Sequence, residues 1–236
     1  MSHKNNKHIQ ITESELRETA RKRVDLIDKE FKSAFAFLEK YPLSVTIYGG
    51  THVRDDSKYY NMAKSLGDRI VKDLGYAVLT GGGPGIMEGA NRGAFEAGGN
   101  SLGLEVELEP KQESNPYQTD TINFHYFFSR KTALAFSAEA YVFLPGGFGT
   151  LDEFFEILTL VQTGKIVKVP IILYGAEYWT KLEKFIKEEI LSRGMILESD
   201  LSLFMITDDE DEVVEIIRKA PVHDGVEFLH KHTEII

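Results

Sequence analysis

"FLPGGFGTLDEFFEIL", from Phe143 to Leu158, decides how this chain is read. An apolar run halts at Pro145, glycines stand at 146, 147 and 149, and apolar residues resume at helical spacing from Leu151. A strand that opens through glycines into a helix is the repeating unit of a parallel α/β sheet. Glycines, lacking Cβ, let successive backbone N–H groups converge on an anion as a nest. Thr150 and Glu153 also have the spacing of a capping box, with Glu153 as the third helical residue. The stretch therefore reads in two ways. It is a strand-to-helix turn with its cap, or a phosphate cradle with a carboxylate beside it.

Working outward, the same alternation recurs. β-rich runs lie at 44–49, 76–83, 101–106, 140–147, 169–175 and 201–207, with helical stretches around 58–74, 85–97, 130–138, 150–163, 178–192 and 209–219. Strands separated by helices imply parallel pairing, and strands apolar throughout imply a sheet covered on both faces. Ahead of them, "TESE" (12–15) has capping-box spacing, and Leu16, Ala20, Val24, Ile27, Phe31, Phe35 and Leu38 line one face of a long helix that Pro42 ends. The expectation is a doubly wound Rossmann-like parallel sheet over 42–220. A tail and an extra N-terminal helix precede it over 1–41, and a tail follows over 221–236.

Three glycine runs, "YGGT" (48–51), "TGGGPG" (80–85) and "PGGFGT" (145–150), fall at the C-terminal ends of these strands, where open α/β sheets bind ligands. The dinucleotide fingerprint GxGxxG fails: counted from Gly81 its last position is Ile86, and from Gly83 it is Glu88. The Walker pattern fails too, because Gly164-Lys165 has no glycine five residues earlier. Arg130 and Lys131 fall at an expected helix start, where cations oppose the helix dipole and call for a compensating anion. Acidic residues 208–212 read as a cap and first helical turn.

Composition narrows the classes. A chain of 236 residues, 42% hydrophobic and 27% charged, suits one large domain. A net charge of −10 argues against nucleic-acid or anionic-membrane partners. No cysteine is present, which removes thiolate nucleophiles and cysteine-ligated zinc. The N-terminal residues carry no apolar leader, and no run reaches the ~18 apolar residues of a membrane span, so a cytoplasmic protein is expected. Histidines 3, 8, 223, 230 and 232 lie near the ends and read as solvated, while His125, among aromatics, reads as packed or hydrogen-bonded.

"GGGPGIMEGANRGA", "NPY…FHYFFSRK" and "PGGFGTLDE…LTLVQTGK" together resemble the LOG family of cytokinin riboside 5′-monophosphate phosphoribohydrolases, many of which carry a lysine decarboxylase label. The likeness covers about 42–219 and is nearest to longer bacterial members with an added N-terminal helix. It implies cleavage of the N-glycosidic bond of AMP or N6-substituted riboside monophosphates, with no cofactor or metal. By the resemblance, Arg130 and Glu153 match the catalytic pair. Gly50, Thr51, Gly81, Gly82, Gly83, Glu88, Asn91, Lys131, Gly146, Gly147, Gly149 and Thr150 match the substrate-binding segments. One departure is "YGGTH" (48–52), with Gly50 and His52 where relatives carry a hydroxyl residue and an arginine.

Two other readings compete. The same cradle serves a non-catalytic nucleotide or cofactor carrier, as in related molybdenum-cofactor carriers. Pyridoxal-phosphate decarboxylation needs a Schiff-base lysine with a pyridine-nitrogen partner, and neither Lys131 nor Lys165 comes with one. The helix after Gly149 is apolar nearly all round, which with the resemblance implies a homodimer or higher assembly.

Overall fold

The computed structural model describes residues 12–107 and 113–220. The expected tails at 1–11 and 221–236, with their five histidines, lie outside those residues. In chain order the elements are α1 (Glu13–Leu38), β1 (Ser44–Tyr48), α2 (Lys58–Arg69), β2 (Ala77–Thr80), α3 (Ile86–Glu96), β3 (Ser101–Val106), β4 (Asp120–Phe124) and α4 (Phe127–Ala135). Then follow β5 (Ala140–Phe143), α5 (Phe148–Gln162), β6 (Ile171–Tyr174), α6 (Ala176–Phe185), β7 (Met205–Thr207) and α7 (Glu210–Arg218). All seven strands pair in parallel in the order β4-β3-β2-β1-β5-β6-β7. Strand order reverses between β1 and β5, so the C-terminal ends of these two strands border the crevice where such sheets take ligands.

Period-two alternation divides the core between the two faces. Tyr48, Tyr141, Phe143, Leu79 and Leu104 meet α4, α5 and α6 on one side, through Leu134, Phe154 and Trp179. Val45, Ile47, Val78 and Val142 meet α2, α3 and α7 on the other, through Leu66, Ala90 and Val213. Burial of the central strands on both faces explains their mainly apolar sequence, broken only by small or hydrogen-bonded residues such as Thr46, Thr80 and Ser101.

Three elements depart from the sequence expectation. β4 was not marked as a strand: "DTINF" alternates polar and apolar, as suits a strand paired only with β3 at the sheet's edge. Residues 198–203 form a 3₁₀ turn rather than the start of the last strand. α1 begins at the expected Thr12–Glu15 capping box, but only its C-terminal half packs. Ala34 and Phe37 are buried, whereas Leu16 and Val24 are 54% and 61% exposed. At 26 residues the helix is roughly 39 Å long and overruns the body it lies on.

Candidate active site

At the point where strand order reverses, three loops are stitched by their backbones. Gly50 N–H donates to the Pro145 carbonyl at 3.0 Å, and Ile86 N–H donates to the Gly50 carbonyl at 3.1 Å. They wall a cleft of about 440 Å³ lined by Gly50, Thr51, Gly81 to Gly83, Gly147, Gly149 and Thr150, with Arg130 and Glu153 in the same wall. Tyr48, His52, Glu105, Glu113, Phe127 and Phe148 are also among its lining residues. Helices α3 and α5 start beside this cleft with glycine caps, Gly85 and Gly147, that offer no side chain to the first N–H groups. With the Ile86 N–H taken by Gly50, the remaining first-turn donors and the positive ends of both helix dipoles favour an anion there.

The loop after β2 is shaped from behind. Thr80 Oγ1 donates to Asn91 Oδ1 at 2.6 Å and accepts from Gly82 N–H at 2.9 Å. Asn115 Nδ2 donates to the Gly83 carbonyl at 3.0 Å and to Asn91 Oδ1 at 2.9 Å, and Asn91 Nδ2 donates to Ser101 Oγ at 2.9 Å. Gly82 sits at φ +75, a conformation that side chains disfavour. Gly81 is needed for space: a Cβ there would stand 1.9 Å from an Arg130 guanidinium nitrogen.

One wall of the cleft carries a largely buried ion pair. Arg130 lies in the second turn of α4, which begins at Phe127 rather than 130 because the aromatic run enters the helix. Its Nε donates to the Leu104 carbonyl at 2.6 Å and its guanidinium lies 5.8 Å from the Phe127 ring centre. A terminal nitrogen then stands 3.8 Å from Glu153 Oε1, with both side chains at most 15% exposed. The capping-box reading of Thr150 and Glu153 does not hold. Gly147 is the cap, so Thr150 is the third helical residue and Glu153 lies a turn further on, facing Arg130. Burial raises the Glu153 carboxyl to about 7, against the opposing pull of Arg130 and Lys131 and with help from Asp152 and Glu156. Burial, and next the Glu153 carboxylate, push the neighbouring Tyr48 hydroxyl well up, so it keeps its proton.

Other residues singled out from sequence sit around this wall. Lys131 bridges α4 to α5 through Asp152 at 2.8 Å and Glu156 at 3.2 Å. Glu88 accepts from the Tyr60 hydroxyl at 3.1 Å, and Asn91 is fully buried in the network behind the glycine loop. Gly146 accepts from the Tyr178 hydroxyl through its carbonyl at 2.7 Å. His125 faces Glu107 at 3.1 Å, and Asp209 caps α7 by accepting from Asp211 and Glu212. Sequence reasoning passed over Tyr48, Glu105 and Asn115; the "NPY" run carried Asn115, but nothing local marks an asparagine that bonds a loop 32 residues away.

A family model described as possible lysine decarboxylase matches residues 87–217, more than half of the chain. A cytokinin riboside 5′-monophosphate phosphoribohydrolase from Rhodococcoides fascians is 28% identical over 179 residues, 75% of this chain and 90% of its own. The enzyme of that name called LOG5, from Arabidopsis thaliana, is 28% identical over 185 residues, 77% of this chain and 80% of its own. Among solved structures, the structural-genomics target TM1055 superposes with a TM-score of 0.57 at 24% identity, over 75% of this chain and 99% of that one. A molybdenum cofactor carrier protein from Chlamydomonas reinhardtii gives 0.56 at 24% identity, over 75% and 97%. These two likenesses are of fold.

Proposed function

The chain belongs to the LOG family, whose model is the one described as possible lysine decarboxylase, and from that premise we propose that it hydrolyses nucleoside 5′-monophosphates. The substrate is AMP or an N6-substituted riboside monophosphate, and the products are the free base and ribose 5-phosphate. One observation carries this reading: Arg130 and Glu153, 3.8 Å apart and both buried, stand in the wall of a cleft whose other sides are glycine loops and helix N-termini.

The chemistry follows from that arrangement. The 5′-phosphate binds the N–H groups of Gly81 and Gly83 and of Gly147 to Thr150, with Thr150 adding its hydroxyl and Gly50 and Thr51 closing the side; the Gly82 N–H is held by Thr80. Holding the remote anion orients the anomeric carbon toward Glu153. As the C1′–N bond breaks, its electron pair leaves with the base and positive charge builds on C1′ and the ring oxygen. Glu153 as carboxylate faces that charge, takes a proton from the attacking water, and returns it to the departing base nitrogen. A carboxyl poised at about 7 can do both near neutrality. Asp152, adjacent in sequence, is no rival acid because it is paired with Lys131 at 2.8 Å and 62% exposed.

Lys131, Glu88 and Asn91 act in support. Lys131 locks α4 to α5, and Asn91 shapes the loop that meets the phosphate. The apolar residues left open on α4 and α5, including Phe128, Phe148 and Phe155, favour a homodimer or larger assembly, which sedimentation measures.

Incubation with AMP and chromatography of released adenine tests the function. Glu153→Gln keeps the shape and removes the base, so turnover should fall at least about 10³-fold with nucleotide binding retained. A Gln variant at near-normal rate sinks the mechanism. A wild-type protein that binds AMP without releasing adenine is a carrier.

A further inference from the structure

The added helix reaches the reacting pair through one carboxylate. α1 is exposed from residue 12 to 26, then turns a buried acidic side chain, Glu30, toward the body. Glu30 Oε1 accepts from the backbone N–H of His125 at 2.6 Å and of Tyr126 at 3.4 Å. Its Oε2 is buried without a hydrogen-bond partner. Tyr126 is the cap residue of α4 and provides no side-chain cap of its own. One turn on, Arg130 N–H donates to the Tyr126 carbonyl at 3.3 Å. Glu30 thus holds the N–H side of Tyr126, the residue whose carbonyl receives the Arg130 backbone.

An apolar residue would pack at position 30 without the desolvation that a carboxyl suffers, so pure adhesion does not need this group. What a carboxyl supplies is an acceptor at the positive end of α4, which answers the conflict that Arg130 and Lys131 pose near that end. Phe31 against Phe128, with ring centres 6.5 Å apart, and Phe35 against Phe136, at 6.2 Å, hold the same two helices together by packing alone.

We infer that Glu30 is a positioning residue: from the added helix it fixes the first turn of α4 and thereby the distance between Arg130 and Glu153. This rests on the reading of Arg130 and Glu153 as the reacting pair. The longer N-terminus is then part of the active site's support.

The test compares full-length Glu30→Ala, Glu30→Asp, Glu30→Gln and Phe35→Ala with wild type. It reads kcat and KM for adenine release from AMP, and the titration of the Glu153 carboxyl by ¹³C NMR without nucleotide. Glu30→Ala should lower kcat roughly tenfold or more, the scale of a small displacement at a reacting centre, with KM changed far less because the glycine loops hold the phosphate. Glu30→Asp, too short to reach but not leaving an apolar hole, moves the same way by less and decides the matter if the alanine variant does not fold. Glu30→Gln, which retains the accepting oxygen, restores the wild-type rate.

Around Glu153 stand Arg130 and Lys131 from α4, Asp152 and Glu156 from its own helix, and Tyr48 from β1. Arg130 is the cation whose backbone bonds Tyr126, the residue that Glu30 holds, so its withdrawal should raise the Glu153 titration in the alanine and aspartate variants. Phe35→Ala trims the same interface and should leave both readouts at wild type. Wild-type kcat and an unmoved titration in both Glu30→Ala and Glu30→Asp overturn the inference, as does a Phe35→Ala that matches Glu30→Ala. Should wild type release no base, the titration still decides: a raised value upholds positioning while the hydrolase reading falls.

Discussion

The two glycine loops that face each other across the cleft are built in opposite ways. The loop after β2 has a buried polar scaffold behind it, in which Thr80, Asn91, Ser101 and Asn115 bond to one another and to the loop backbone. The loop after β5 is held at its base, where Tyr178 donates to the Gly146 carbonyl and Gly50 to that of Pro145. Beyond that it is bare. A Cβ at Gly147 or Gly149 would meet nothing within 4 Å, and Phe148 is 93% exposed. One loop is preorganised by the interior and the other by the helix it begins. The difference teaches that equal glycine content does not mean equal tolerance: substitutions at Gly81 and Gly82 of the first loop meet neighbours, and those at Gly147 and Gly149, beyond the base of the second, meet open space.

Mutation can break that contrast, and the largest effect should come from Gly81→Ala. Its new Cβ displaces the Arg130 guanidinium. Adenine release should fall about 10³-fold, the loss typical of removing one charge stabiliser, while thermal unfolding stays cooperative. A variant of wild-type rate would mean that Arg130 does not act from where it lies.

Glu153→Gln sharpens the other side. The carboxyl titrates at about 7 when folded against an ordinary value of 4.5, so the folded state holds the proton more tightly than the unfolded one. Its contribution is intact below about pH 4.5, erodes as pH rises toward 7, and above that is a constant penalty of about 3 kcal/mol. The Gln variant should therefore be more stable than wild type at pH 8 by up to that amount and nearly equal at pH 4.5. Denaturant unfolding at the two pH values measures it.

Next in size is Asn91→Ala. It strands Thr80, Asn115 and Ser101 in a buried site and should lower stability by about 2 kcal/mol, with KM for AMP rising more than kcat falls. The smallest effect is expected from Gly149→Ala in the bare loop. An added methyl in the first turn of a helix gains up to about 1 kcal/mol of stability, with nothing for it to strike. Any loss then appears in KM alone, and a loss of stability there would erase the contrast between the loops.

Much of the fold was legible in the chain because both faces of the sheet are covered. Buried parallel strands must be mainly apolar, so β1, β2, β3, β5 and β6 announce themselves, while edge strand β4 satisfies only one neighbour and reads as polar loop. The glycines of the cleft were legible for the same kind of local reason. Asn91 was visible as a residue but not in its task, because its partners come from β2, β3 and the segment near 115. Glu30 was invisible altogether. It interrupts an apolar face by one position, and its partners lie 95 and 96 residues away.

By itself the sequence determined the order of strands and helices apart from β4, the glycine punctuation at one edge of the sheet, and the presence of an arginine and a glutamate near it. Those follow from backbone sterics and from period-two and helical burial, which act over a few residues. It left Glu153 divided between capping its own helix and facing a ligand, and tertiary packing removed the first reading. The helix starts at Gly147, and Arg130 arrives from α4 to within 3.8 Å of the carboxyl. Burial in the assembled cleft removes the water that would otherwise keep that carboxyl an ordinary acid. Desolvation belongs to the whole assembled cleft, so no stretch of chain can carry it alone.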